Sequence, residues 1–413
     1  MEYLKRIWNF EIQPGDKFWA NTKWILPWIW IVAIGFSFYT VMVIGVVPGV
    51  NTITISNLKE VIEKYFSSYQ NSTLGFRKYL PYIFIGLAVI TMMIRAGIII
   101  HSYYLTKKKM GENNFNKFFT TFLLAFLIST STLLLLSFVS MIIYYLGYNS
   151  DWTGNFIHSS IDTITALYAS LAPYSLNISN YWLAIFILLL AASLPIYIVH
   201  YLSHKSRILW LLAHKAHHCP EFLFPIAAPS NNIAFLEVLL AIPGIIFFAV
   251  LSNMIYTEPL LFELAIWFTV KLSIEPFNHS SIHYDIANKK WIKRISMVFG
   301  DTGVYHLVHH SAYERDQNVN FGPCPFMIWD RLFGTFREPY DVLPPLGLTN
   351  QPKISWSPMK IVFSGFAQIR YEWKNNPSWR IRFKIIFGGV YYLPPITKEF
   401  LVLDNLTTDT LSE

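Results

Sequence analysis

Six apolar runs constrain this chain more than any other feature. They are Trp24–Val47, Tyr82–Tyr104, Phe118–Leu146, Tyr181–Val199, Phe235–Ile255 and Leu260–Phe277. A helix needs about 20 apolar residues to cross about 30 Å of hydrocarbon. In lipid every backbone polar group must be paired within the protein, and a helix does this locally. The runs therefore predict an all-α, polytopic membrane bundle of about six spans. The third run is long enough to tilt, and the sixth is short and carries Lys271 and Glu275. A turn around Pro259 makes a hairpin of the fifth and sixth. Composition agrees: only 14% of the 413 residues are charged, and mean hydropathy is +0.38. A soluble domain carries roughly 25% charged residues.

Loop charges set an expected orientation. "LTKKKMGENNFNK" after the second run is basic, whereas Gly147–Asn180 contains no Lys or Arg. The loop after the first run, with Lys59, Lys64, Arg77 and Lys78, goes against the trend. On balance both termini are expected in the cytosol. The polar N-terminus shows no cleavable leader pattern, so the first run is expected to stay in the membrane. A net charge of +7 fits basic cytosolic loops and does not call for nucleic acid. Cys219 and Cys324 are too few for a disulfide framework and are expected as thiols.

The histidines are the second constraint. Ten of the twelve lie between positions 200 and 310, in four groups on the expected cytosolic side. His200 and His204 read HxxxH; His214, His217 and His218 read HxxHH. His279 and His283 repeat HxxxH, and His306, His309 and His310 repeat HxxHH. On a helix, positions i, i+3 and i+4 share a face, so each group aims its imidazoles one way. Four such segments converging would gather ten nitrogen donors. A structural zinc takes four ligands and a catalytic one about three, so ten suits two metals. Imidazole accepts Zn, Cu, Fe and Ni alike, and the residues alone leave the metal open. His101 and His158 stand apart and are read as ordinary interface and loop residues.

Ligand histidines commonly donate their other N–H to a carboxylate. Asp285, Asp301 and Glu275 are the candidates by proximity in sequence, with Glu275 alternatively paired to Lys271 at i−4. Asp330, in "WDRLFGT", reads as a structural clasp rather than a catalytic base.

These four groups, in this order, resemble the fatty acid hydroxylase/sterol desaturase superfamily. A second signature supports the resemblance: Asn320, Phe321 and Gly322, then Trp329, Asp330, Phe333, Gly334 and Thr335. Family members usually carry Tyr where this chain has Phe321, so no role of that hydroxyl carries over. The resemblance covers about residues 180–338. The extra spans and longer C-terminus are similar in layout to the larger alkylglycerol monooxygenase-type bacterial members. It implies a di-iron site held by the ten clustered histidines, with O2 as co-substrate. It also implies O2-dependent hydroxylation, desaturation or ether-lipid monooxygenation of a membrane lipid. No haem- or flavin-binding motif is evident, so an external electron donor is expected, a cytochrome b5-type protein or a ferredoxin with its reductase. The competing expectation is a metal-binding membrane protein without oxygenase activity, a transporter or electron carrier.

Three regions follow: an N-terminal membrane region (1–180), a catalytic core (181–338), and a C-terminal segment (339–413). In the last, residues 351–395 mix Lys and Arg with Trp356, Trp373 and Trp379. That pattern suits either a segment lying on lipid headgroups or a cytosolic cap with an aromatic core.

Overall fold

The computed structural model describes residues 67, 69–148, 170–225, 251, 254–258, 260–300, 303–322, 324–348 and 357–395. Among these the chain is helical and has no strand; Ile178–Tyr256 and Ser311–Leu346 form isolated bridges. The main helices are α1 (Leu80–Met110), α2 (Glu112–Tyr148), α3 (Tyr181–Ser203), α4 (Leu261–Asn278), α5 (Lys290–Val298), α6 (Val304–His309), α7 (Pro358–Asn375) and α8 (Trp379–Phe387).

The ends of these helices follow from local chemistry. Pro81 occupies the first turn of α1, where a missing N–H costs nothing, and Gly111 stops the helix at φ 76°, a conformation that favours glycine. Lys107, Lys108 and Lys109 sit in its last turn, against the negative end of the helix dipole. Asn180 caps α3 by accepting a hydrogen bond from the Leu183 N–H at 3.1 Å.

Among the described residues two helices are long and apolar enough to cross a membrane: Arg77–Met110, which includes α1, and α3. Only 17% and 28% of their most apolar stretches are buried. Met93 is 70% exposed and Trp182 72%. A soluble core helix would hide such residues, so these surfaces indicate a membrane protein. They coincide with the second and fourth predicted runs. The third run lies within α2, a continuous 37-residue helix. The sixth forms the 18-residue α4, which carries Glu263, Lys271 and Glu275. The first run, and all but a few residues of the fifth, lie outside the described residues.

α1, α3 and α4 run side by side in the same sense. They start at a buried polar clasp. Arg77, 1% exposed, pairs with Glu258 and with Glu263 (2.8 Å), and Tyr69 and Tyr181 donate to Glu263 at 2.7 and 3.1 Å. Further along, Thr91 donates to the Thr269 carbonyl, Arg95 pairs with Glu275, and Ser102 meets Ser280. The three helices thus deliver their last turns, and with them His200, His204 and His279, to one end of the bundle. α2 begins at this end, packing Phe115, Phe118 and Phe122 against Ala216, Phe224 and Val362 of α7.

Candidate metal centre

Each histidine group arrives on a separate short element. His200 lies in the last turn of α3 and His204 caps it. His214 closes a π-helical turn, Trp210–His214, and His217 and His218 follow in the next turn, Lys215–His218. His279 caps α4, and α6 ends in His306, His309 and His310.

Nine of the ten imidazoles converge. His200, His204, His214 and His309 form one group of four, and His217, His279, His306 and His310 another. Within each group the candidate ligand nitrogens lie within 4.8 Å of one another. His218 belongs to both neighbourhoods, one with His214 and His217, one with His309 and His310. Its ring stacks on His310 at 4.2 Å between centroids.

The tenth histidine departs from expectation. His283 is fully buried but directs Nε2 to the Phe277 carbonyl at 2.7 Å, beside the Phe277 ring. It joins neither group of four. A carbonyl can only accept, so Nε2 carries the proton, and His283 braces the end of α4 from the following turn. His101 is exposed and also outside the groups; His158 lies outside the described residues.

The donor chemistry fits bound metal. In the second group the Nε2 atoms of His310 and of His217, His279 and His306 lie 3.0 Å apart, and His306 and His279 3.2 Å. Four nitrogens about 2.0–2.1 Å from one ion stand roughly 3.3 Å apart in a tetrahedron. His204 Nε2, His279 Nδ1, His306 Nδ1 and, outside the two groups, His283 Nδ1 are buried without a hydrogen-bond partner, a costly state for polar atoms. Burial, reinforced by neighbouring imidazoles, holds His204, His214, His218, His279, His306, His309 and His310 well below the ordinary histidine range. They are neutral at pH 7, the form that binds metal.

Backbone carbonyls, not carboxylates, orient two of these rings. His200 donates from Nδ1 to the Phe321 carbonyl (2.9 Å), and His309 from Nδ1 to the Val319 carbonyl (2.8 Å). Each Nε2 is left with its lone pair facing the centre. Glu275 instead pairs with Arg95 at 3.0 Å, and Asp285 with Lys109 at 3.3 Å near the surface. Neither has a hydrogen bond to a clustered histidine, and Asp301 is outside the described residues.

The downstream signature explains how those carbonyls are held. Asp330 is fully buried and accepts from the Phe321 N–H (2.7 Å), the Gly322 N–H (2.8 Å) and the Thr335 hydroxyl (2.7 Å). A Cβ on Gly322 would lie 2.6 Å from the Asp330 carboxylate, which is why glycine stands there. Asn320, at φ 55°, donates to the Tyr305 and Arg337 carbonyls and accepts from the Arg337 N–H. Asp330 is the clasp expected of it, and it acts on the loop that positions His200 and His309. Phe321 is fully buried, edge-on to His200 and His309 and tilted against His204, 5.1–5.5 Å between centroids. Where a tyrosine would carry a hydroxyl, this site has an apolar wall.

A second support was not visible in the sequence. Arg207, four residues past α3 and 1% exposed, donates two bonds from Nη2 to the Glu372 carboxylate of α7, 2.8 and 2.7 Å. Gln368 donates to Glu372 and accepts from the buried Lys215 amine, both 3.0 Å. Desolvation lowers the Lys215 pKa to about 8. Gly365 faces the π-helical turn so closely that a methyl group there would overlap the Leu211 carbonyl. α7 thus backs the turn that carries His214. Only the pairing of charges could have signalled this, and 165 residues separate Arg207 from Glu372.

Residues 185–335 match the family model described as fatty acid hydroxylase. No solved structure matches the chain.

Proposed function

We propose, from the premise that residues 185–335 are a fatty acid hydroxylase domain of the fatty acid hydroxylase/sterol desaturase superfamily, that this protein is a membrane di-iron enzyme. It oxidises a lipid C–H bond with O2, by hydroxylation, desaturation or ether-lipid monooxygenation. The single observation that carries the proposal is the pair of four-histidine groups joined through His218, in a domain of that family. A transporter would keep its ligands near the bilayer midplane, whereas these histidines gather at and beyond the ends of α3 and α4.

When bound, two irons supply the redox chemistry that an unactivated C–H bond demands and no side chain can provide. The chain's own residues do the rest. His200, His204, His214 and His309 would hold one ion, and His217, His279, His306 and His310 the other. His218 stands between the two sets. The carbonyls of Val319 and Phe321 fix two rings in the tautomer that presents Nε2. Phe321 and Trp210, both buried against the imidazoles, exclude water from the centre. The exposed apolar face of α3, with Trp182, Phe186, Ile198 and Leu202, runs to the turn that carries His200, so an acyl or isoprenoid chain lying along it would come beside the site from the bilayer. Loop charges favour a cytosolic site, where an external reductase or small electron carrier supplies electrons.

The test is purification in nanodiscs, elemental analysis, and turnover of lipid classes with a reductant and isotopically labelled O2. Two irons per chain and label in a lipid product are expected for a hydroxylase. Bound metal without turnover of any lipid class would favour a carrier, and protein without iron would end the proposal.

A further inference from the structure

The C-terminal segment lies outside the matched domain, and its surface is unlike that of a soluble cap. α8 has two contrasting faces. Ile385 is fully buried, while Trp379, Phe383 and Phe387 are 71%, 56% and 67% exposed. These three aromatics stand at i, i+4 and i+8, so they form one stripe along the helix. Arg380 and Lys384, at i+1 and i+5, are exposed along its edge. Water is a poor solvent for such a stripe, and a cluster of this kind marks an interaction surface.

Charge and position together name the occupant. Between Pro358 and Pro395 the chain carries Lys360, Arg370, Lys374, Arg380, Arg382 and Lys384 against a single carboxylate, Glu372. That carboxylate is buried and neutralised by Arg207, so the outward field of the segment is positive. The height of α8 is fixed by the same residue. Arg207 donates to the Ile385 carbonyl (2.7 Å) and the Tyr392 carbonyl (2.8 Å), and its N–H to the Gly388 carbonyl (3.2 Å). Arg207 stands four residues beyond the end of α3, a helix apolar enough to cross the membrane. α8 is therefore tied at the level where that helix leaves hydrocarbon.

We propose that α8 lies in the membrane interface on the histidine side. Its Trp379–Phe383–Phe387 stripe sinks into the headgroup–acyl boundary, and Arg380 and Lys384 pair with anionic phospholipid headgroups. An amphipathic helix with an aromatic stripe flanked by cations has this preference. Each cation near an anionic leaflet adds to the attraction. The inference rests on α1 and α3 crossing the membrane, and is independent of the reaction catalysed. Because α8 and the π-helical turn share Arg207 and α7, the lipid surface and the metal centre are braced by one element.

Spin labels at single cysteines, in full-length protein in nanodiscs, test it. Phe383→Cys and Arg380→Cys report on α8, and Met93→Cys on α1 reports on the span, each in a Cys219→Ser, Cys324→Ser background. The ratio of accessibility to oxygen over a water-soluble nickel chelate is expected to be several-fold higher at 383 than at 380. It should rise at 383 when phosphatidylglycerol is added to phosphatidylcholine. Arg380→Gln with Lys384→Gln should remove that dependence on anionic lipid. High nickel accessibility at 383 would place α8 in water and overturn the proposal. Shielding from both reagents would mean that protein covers the stripe, and would overturn it equally. Position 93 separates the two ideas: if it is oxygen-accessible and nickel-shielded while 383 is not, the span stands and the interfacial helix falls. Should the cysteine-free background fail to fold, hydrogen exchange of residues 379–387 in the unmodified chain gives the same answer. Exchange is expected to slow when anionic lipid is added, and unchanged exchange would overturn the proposal.

Discussion

His218 and His283 belong to matching sequence patterns yet do different work. His218 touches both groups of four, whereas His283 spends Nε2 on a carbonyl. His218→Ala is therefore expected to lower bound metal and abolish turnover, while His283→Ala keeps its metal, as read by elemental analysis of the purified proteins. Asp330 acts at one remove: it holds the loop whose carbonyls orient His200 and His309. Losing such an orienting partner typically costs 10–100-fold in metal affinity. Asp330→Ala should fall in about that range when metal is titrated against a competing chelator. The spacing of the histidines was legible because helical periodicity is local. The carbonyl partners were not, since backbone atoms carry no residue-type signal.

At the level of elements, α7 is the least anticipated part of the site. Its Glu372 is fully buried against Arg207. Removing one partner of a buried pair leaves an uncompensated charge and costs about 3–5 kcal/mol. Glu372→Ala should lower the thermal midpoint in detergent accordingly. Gly365→Val should push α7 off the π-helical turn and reduce metal retention through His214, with helix content by circular dichroism little changed. α1 and α3 were legible as long apolar runs. α4 was read as a short span, but its charges have partners within the bundle: Glu263 meets Arg77 and Glu275 meets Arg95. Those pairings join residues about 180 positions apart, beyond the reach of any local pattern.

For the whole molecule, burying so many neutral imidazoles ties stability to pH. Burial lowers the His283 pKa from 6.5 to about 4, and the metal-centre histidines are also held low. Between those values the unfolded chain binds more protons than the folded one, so stability rises with pH across the window. Metal-free protein is expected to be most stable above about pH 7 and to lose stability progressively from pH 6.5 toward 4, as followed by thermal unfolding at stepped pH. Metal release should follow the same acid limb, because protons and metal compete for the same lone pairs.

The sequence by itself pointed to a helical chain with six apolar runs, two of which form, among the described residues, helices apolar enough to cross a membrane, and to histidines that face in sets. It also carried the signature of the domain at 185–335. Each of these rests on periodicity or composition within a few turns. Tertiary structure alone decided that the sets divide into two groups of four with His218 between them, and that His283 stays out. His200 meets His309 across 109 residues, and His310 meets His217 across 93. Such meetings depend on how α3, α4, α6 and the π-helical turn pack. A spacing rule fixes the direction of a side chain from its own helix, but only packing fixes what it faces.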